Sequence, residues 1–194
     1  MTDYTTLSQI KAILDSQGLP TDVADDAVIT QFITAASTYF DEATGKTFVA
    51  SAGTRYYDCP VGTNDLLVDD FISLTSITNG DGTLIPTGEV QTLPLNTTPK
   101  YIIHIKGSST YLWTPPTTGD LTGAIAITAD WGQSATCPAQ VRTAVEAFVI
   151  SLYQSKRGNN VQGSATITGA GLVITPRDVP DFTAQIIRHY ASKL

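Results

Sequence analysis

Apolar residues recur at helical spacing toward both ends of the chain and at alternating spacing in between. Leu7, Ile10 and Leu14 mark a first helix over 7–17, with Thr6 as N-cap and Gly18 as C-cap. Gly18-Leu19-Pro20 then breaks the chain. A second helix begins after Thr21 or Asp22, with Asp22, Asp25 and Asp26 in its first turn, where the helix dipole favours acids. Val28, Phe32, Ala35, Ala36, Tyr39 and Ala43 give it one continuous apolar face, and Gly45 stops it. A third helix is predicted over 138–156, with Pro138 in its first turn and Val141, Val145, Phe148, Val149 and Leu152 as its stripe. A fourth spans 181–193, with Phe182, Ile186 and Tyr190 one turn apart.

Between the second and third helices the chain becomes rich in Thr, Gly, Pro and β-branched residues. Strands are predicted at 54–58, 66–68, 74–78, 101–106 and 124–130, separated by turn sequences such as Asn79-Gly80-Asp81-Gly82 and Thr114-Pro115-Pro116-Thr117. Two more β-prone runs, 165–168 and 172–175, flank Gly169-Ala170-Gly171 and suggest a hairpin. The expected fold is therefore α+β. Segments 1–50 and 136–194 build a discontinuous helical bundle, with the hairpin at about 163–175. Segment 51–135 forms an inserted antiparallel β lobe.

Composition adds a surface to this frame. Of the 194 residues 42% are hydrophobic, enough for a substantial core, and only 15% are charged. A surface so poor in charge suits extensive protein–protein contact. The net charge of −7 argues against a general nucleic-acid binder, which relies on Lys and Arg to neutralise phosphate. Residues 1–70 carry eleven acids and three bases, whereas 140–194 carry six bases and three acids. That asymmetry offers complementary faces to neighbouring copies. Cys59 and Cys137 make no disulfide framework, and their flanks lack metal-ligand spacing. The first residues carry neither a basic stretch nor an apolar run, so no signal peptide is expected, and no segment reaches the ~20 apolar residues of a membrane span.

The chemistry-bearing patterns are weak. Gly45-Lys46-Thr47 resembles the end of a phosphate loop, but position 40 is Phe rather than Gly, and the helix precedes the loop instead of following it. Asn79-Gly80-Asp81-Gly82-Thr83 lacks the Gly and Glu of a calcium loop, because those positions are Leu84 and Val90; a hairpin turn is expected instead. His104 and His189 lie in no metal-ligating cluster. Cys59 with His104 is a nucleophile–base pair that nothing in the sequence marks out. Tyr56, Tyr57, Tyr101, Tyr111, Trp113 and Trp131 would form a sugar-binding platform only if several stood in a row on one sheet face; core packing is the simpler expectation. No catalytic residue, cofactor or metal ligand is predicted.

The order of motifs carries more information than any one of them. Thr6-Leu7-Ser8 opens the first helix. Asp25-Asp26-Ala27-Val28-Ile29 leads through Phe32 to Ala35-Ala36-Ser37, then Thr44-Gly45-Lys46-Thr47-Phe48, then Arg55-Tyr56-Tyr57-Asp58. Trp131-Gly132 and Pro138-Ala139-Gln140-Val141-Arg142-Thr143-Ala144 follow. Over about 5–157 this succession resembles the head–tail connector, or adaptor, proteins of tailed bacteriophages, a family of small head-completion proteins that assemble beneath the portal. The resemblance implies a non-enzymatic structural protein without cofactors, located in the virion at the head–tail junction and in the host cytoplasm during assembly. It implies a ring of about twelve copies, with the portal and a stopper or tail-completion protein as partners, genomic DNA only passing through the channel, and no membrane partner. In such proteins the C-terminal helix and the segment before it engage the portal. That points to Arg177, Phe182, Ile186, Arg188, Tyr190 and Lys193 as partner-binding residues. The competing expectations are a stopper or tail-terminator component, or a carbohydrate-binding β module of a host-recognition protein.

Overall fold

The computed structural model describes residues 2–19, 21–157, 166–168, 171–173 and 179–191. The described residues give an α+β fold with four α-helices, a six-stranded sheet and a separate two-stranded sheet. The chain divides into two compact units. One is Met1–Lys46 with Cys137–Leu194 and holds the helices; the other is Thr47–Thr136 and holds the large sheet.

In the helical unit, α1 (Leu7–Ser16) starts at a capping box. The Thr6 hydroxyl accepts from the Gln9 amide while the Gln9 side chain accepts from the Thr6 amide. Ile10 and Leu14 are fully buried. A short 3₁₀ turn, Val23–Asp25, is capped by Asp22 and leads into α2 (Asp26–Thr44). Gly45 closes α2 in the left-handed conformation, φ 65°, which a side chain would disfavour.

The core face of α2 is turned by about one residue from the predicted stripe. Ile29, Phe32, Ile33, Ala36, Ser37, Phe40 and Thr44 are buried, while Val28, Ala35, Tyr39 and Ala43 lie at the margin. The reason is that α2 packs against α1, α3 and α4 at once, so its buried surface is wider than one stripe. Ser37 and Thr44 join it at little cost because each is hydrogen-bonded: the Ser37 hydroxyl accepts from the Tyr4 amide at 3.1 Å, and Thr44 donates to the Phe40 carbonyl at 2.7 Å.

Helix α3 (Ala139–Lys156) buries its predicted stripe completely, together with Ala144 and Tyr153. Tyr39 meets Phe148 edge-on, centroids 5.6 Å apart. Helix α4 (Asp181–Ala191) packs on α2 and α3.

The sheet unit comprises β1 (Ser51–Tyr57), β2 (Asp65–Thr78), β3 (Leu84–Ile85), β4 (Val90–Leu93), β5 (Lys100–Ile105) and β6 (Ile125–Trp131). The strand order is β1-β6-β2-β5-β4, antiparallel throughout, with β3 paired to the end of β2. The two strands predicted at 66–68 and 74–78 are one fourteen-residue strand. Register shifts between Leu67 and Phe71, between Phe71 and Ser73, and between Leu74 and Ser76 bend it, and these breaks in alternation disguise its continuity. Strands β3 and β4 are too short for the alternation rule to detect. The core of this unit gathers Leu66, Val68, Phe71, Ile77, Ile103, Ile105, Ile125, Ile127, Trp113 and Trp131.

Beyond α3, β7 (Thr166–Thr168) and β8 (Gly171–Val173) pair antiparallel, Ile167 opposite Leu172. The connecting positions 169–170 and the predicted outer ends of the runs, 165 and 174–175, lie outside the described residues.

Candidate interaction surfaces

Helix α4 carries four of the six residues expected to bind a partner. Arg177 and Lys193 lie outside the described residues. Thr183, not the apolar row, anchors the helix: it is fully buried, and its hydroxyl donates to the Ala144 carbonyl of α3 at 2.8 Å. Phe182 is next in sequence, so it stands about 100° round the helix and is 44% exposed. Ile186 and Tyr190 are half-buried and Arg188 is exposed. The row Phe182–Ile186–Tyr190 therefore runs from solvent to the edge of the packed face. Together with Arg188 it offers an apolar strip beside a cation, the composition favoured at protein interfaces.

The Arg55-Tyr56-Tyr57-Asp58 motif proves to be mostly internal bracing. The Arg55 guanidinium lies 4.8 Å from the Trp131 ring and binds Asp69 at 2.6 Å. The Tyr57 hydroxyl donates to the same Asp69 carboxylate at 2.8 Å and accepts from the Asp69 amide at 3.2 Å. Burial pushes the Tyr57 phenol up to about 12, so it stays a donor. Asp58 accepts from the Gly123 amide at 2.8 Å. Tyr56 alone points away, 69% exposed.

Trp131-Gly132 is structural as well. The Trp131 indole donates to the Gly53 carbonyl at 2.8 Å. Gly132 sits at φ 150°, with Ala50 backbone atoms 2.7 and 2.9 Å from where a Cβ would be.

The acids at the start of α2 are likewise engaged. Lys11 binds Asp26 at 2.6 Å. Asp25 accepts from the Tyr153 hydroxyl at 2.8 Å and lies 3.5 Å from Lys156. The Tyr153 hydrogen bond, more than the Lys156 charge, holds the Asp25 carboxyl below the usual range. Less of the acidic surface faces outward than the charge count suggested.

Sequence reasoning missed an apolar row on the exposed face of the sheet. Leu67 is opposite Ile102, which is opposite Leu93 on β4, and partners in register share a face. Leu67 is 71% exposed, while Ile102 and Leu93 are half-buried. The signal was present in Leu66-Leu67-Val68, where an apolar residue fills the position that alternation reserves for a polar one.

No platform of aromatics appears. Among the described residues of this unit, Tyr56 and Tyr101 are the exposed aromatics, and they stand on β1 and β5, which are not neighbours.

His104 Nδ1 lies 2.5 Å from the Asp65 carboxylate on the adjacent strand. Burial raises the Cys59 thiol, and pushes the Cys137 thiol up to about 11, disfavouring the thiolate. Among the described residues no three His, Cys, Asp or Glu side chains converge to hold a metal ion, and no helix is long and apolar enough to cross a membrane.

No protein-family model matches the chain, and no curated protein matches it in sequence. Solved structures do match. A chain from the neck of an empty gene transfer agent (GTA) particle, computed with C6 symmetry, superposes with a TM-score of 0.61 at 15% identity, over 96% of this chain and 88% of that one. A chain from the neck of the native particle, computed with C12 symmetry, gives 0.54 at 13% identity, over 97% and 93%. A chain from the native virion gives 0.55 at 17%, over 96% and 89%. At these identities the likeness is one of fold.

Proposed function

We propose that this chain is a non-enzymatic structural protein of a phage-type virion neck, an adaptor whose copies form a ring of about twelve on the portal vertex and extend the DNA channel toward the tail. The observation that carries this reading is the fold match to neck chains over 96% of the sequence, helical and sheet units alike. The ordered motifs from Thr6 to Ala144 support it independently, and the C12 symmetry of one matched neck agrees with a dodecamer. A charge-poor surface suits ring contacts, and a negative chain does not grip the DNA it encloses. In this reading segments 1–50 and 136–194 act as the docking bundle, and 51–135 as a lobe facing the next ring or the exterior.

Helix α4 is the portal-docking element, with Phe182 and Arg188 its outward contacts and Ile186 and Tyr190 beside them; Arg177 and Lys193 extend the same segment. A stopper or tail-completion protein receives the other end. Assembly in the host cytoplasm precedes incorporation into the virion.

The docking assignment is tested by titrating the portal protein with the full chain. Phe182→Ala combined with Arg188→Ala should weaken binding at least tenfold, or ~1.4 kcal/mol, while the thermal transition of the helical unit is retained. Unchanged affinity would remove α4 from the docking surface.

A further inference from the structure

Two sets of backbone hydrogen-bonding groups in this chain await a strand. Strand β1 pairs with β6 along its whole length, from Ser51 opposite Trp131 to Tyr57 opposite Ile125, and among the described residues its other edge carries no strand. Exposed strand edges are normally blunted by proline, bulges or lysine, because they template pairing with other chains. β1 has none of these: Ser-Ala-Gly-Thr-Arg-Tyr-Tyr keeps perfect register. Its single charge, Arg55, is held against Trp131 and Asp69 instead of guarding the edge. The opposite edge of the sheet differs. β4 is only four residues long and is followed at once by Pro94, whose carbonyl, with that of Leu95, is taken by Lys100.

The second set is the hairpin β7–β8. Among the described residues its strands pair only with each other. A lone two-stranded hairpin is marginal in water and gains its stability by joining a larger sheet.

We propose that the β7–β8 hairpin of one copy adds to the β1 edge of the next copy, continuing the six-stranded sheet across the subunit boundary. The proposal rests on the ring reading above and specifies how neighbours lock. A donor hairpin meeting a distinct acceptor edge is a head-to-tail contact, the kind that closes rings. Strand addition draws its affinity from main-chain hydrogen bonds, so it operates without charged side chains, in keeping with this surface.

The test is amide hydrogen exchange on the full chain, free and assembled with its portal, with ring formation verified by electron microscopy. Alternate amides of Ser51–Tyr57 and those of the hairpin should exchange at least tenfold more slowly in the ring. Cross-linking identifies the donor: in a background with the free thiols Cys59 and Cys137 replaced by serine, chains carrying Thr54→Cys, mixed with chains carrying Leu172→Cys, should give covalent dimers with a short bismaleimide only when assembled. A ring in which β1 amides are not slowed overturns the proposal and leaves the adaptor reading standing. So does β1 protection without hairpin protection, or an assembled mixture that gives no dimer linked between positions 54 and 172. Failure to form any ring overturns both.

Discussion

The helical unit and the sheet unit are stabilised across very different sequence distances. The sheet unit is one continuous stretch, and its ladders join strands within 47–136. The helical unit is sewn from the two ends. The Thr5 hydroxyl donates to Glu146, 141 positions away, at 3.0 Å, and Tyr153 to Asp25, 128 positions away. Tyr4, buried near the start of the chain, bonds Asp41. Neither end holds an apolar core alone, since the Phe32–Phe40 face of α2 needs α3 and α4 to cover it. A contiguous unit can close its own core, whereas a divided one depends on the arrival of a remote segment.

Cutting the chain between the two units separates their behaviour most strongly. Isolated 47–136 should give a cooperative thermal transition and a dispersed NMR spectrum, while 137–194 alone should give neither. A folded C-terminal fragment would show that the helical unit does not need its N-terminal half. Next in size is Phe148→Ala, which empties a fully buried site between helices and should cost about 3–5 kcal/mol. Chemical denaturation should show that loss in the helical transition alone; a change under 1 kcal/mol would refute Phe148 as core.

In the sheet unit the corresponding weak point is polar. Asn79 is 4% exposed, donates to the Leu112 carbonyl at 2.7 Å and accepts from the Thr114 amide at 3.0 Å. Asn79→Ala leaves both partners unmatched and should cost ~1–3 kcal/mol in the sheet transition only.

The smallest expected effect concerns pH. Asp25 is held below its ordinary value in the fold, first by the Tyr153 hydroxyl, so it stabilises the helical unit above about pH 4 and that contribution fades as pH falls through and below this range. Asp41, raised by burial, has the opposite sign. Asp25→Asn should therefore flatten the loss of melting temperature between about pH 5 and pH 2, and Asp41→Asn should steepen it. Parallel curves for both variants and the parent would remove these carboxylates from the linkage.

The helices were legible in the sequence because their period survives in the fold. The stripe Val141, Val145, Phe148, Val149 and Leu152 is buried throughout, and the Thr6 cap and Gly45 stop stand where the residue types put them. What misled was geometry that local pattern does not encode. Three-sided packing rotated the α2 face onto Ile29, Ile33 and Phe40. Register shifts hid the length of β2. Asn79, expected as an ordinary turn residue, is a buried link to 112–114. On the candidate surfaces, the α4 row was visible, but the buried Thr183 that ties the helix to α3 was not. Leu67 escaped notice although alternation between the buried Leu66 and Val68 puts it on the outer face.

The central claim, an adaptor ring on the portal, is tested most directly by electron microscopy of the full chain mixed with its portal protein. An axial ring of about twelve subunits seated on the portal and extending its channel is expected. Monomers that leave the portal bare, or a ring that binds a tail tube and ignores the portal, would contradict it.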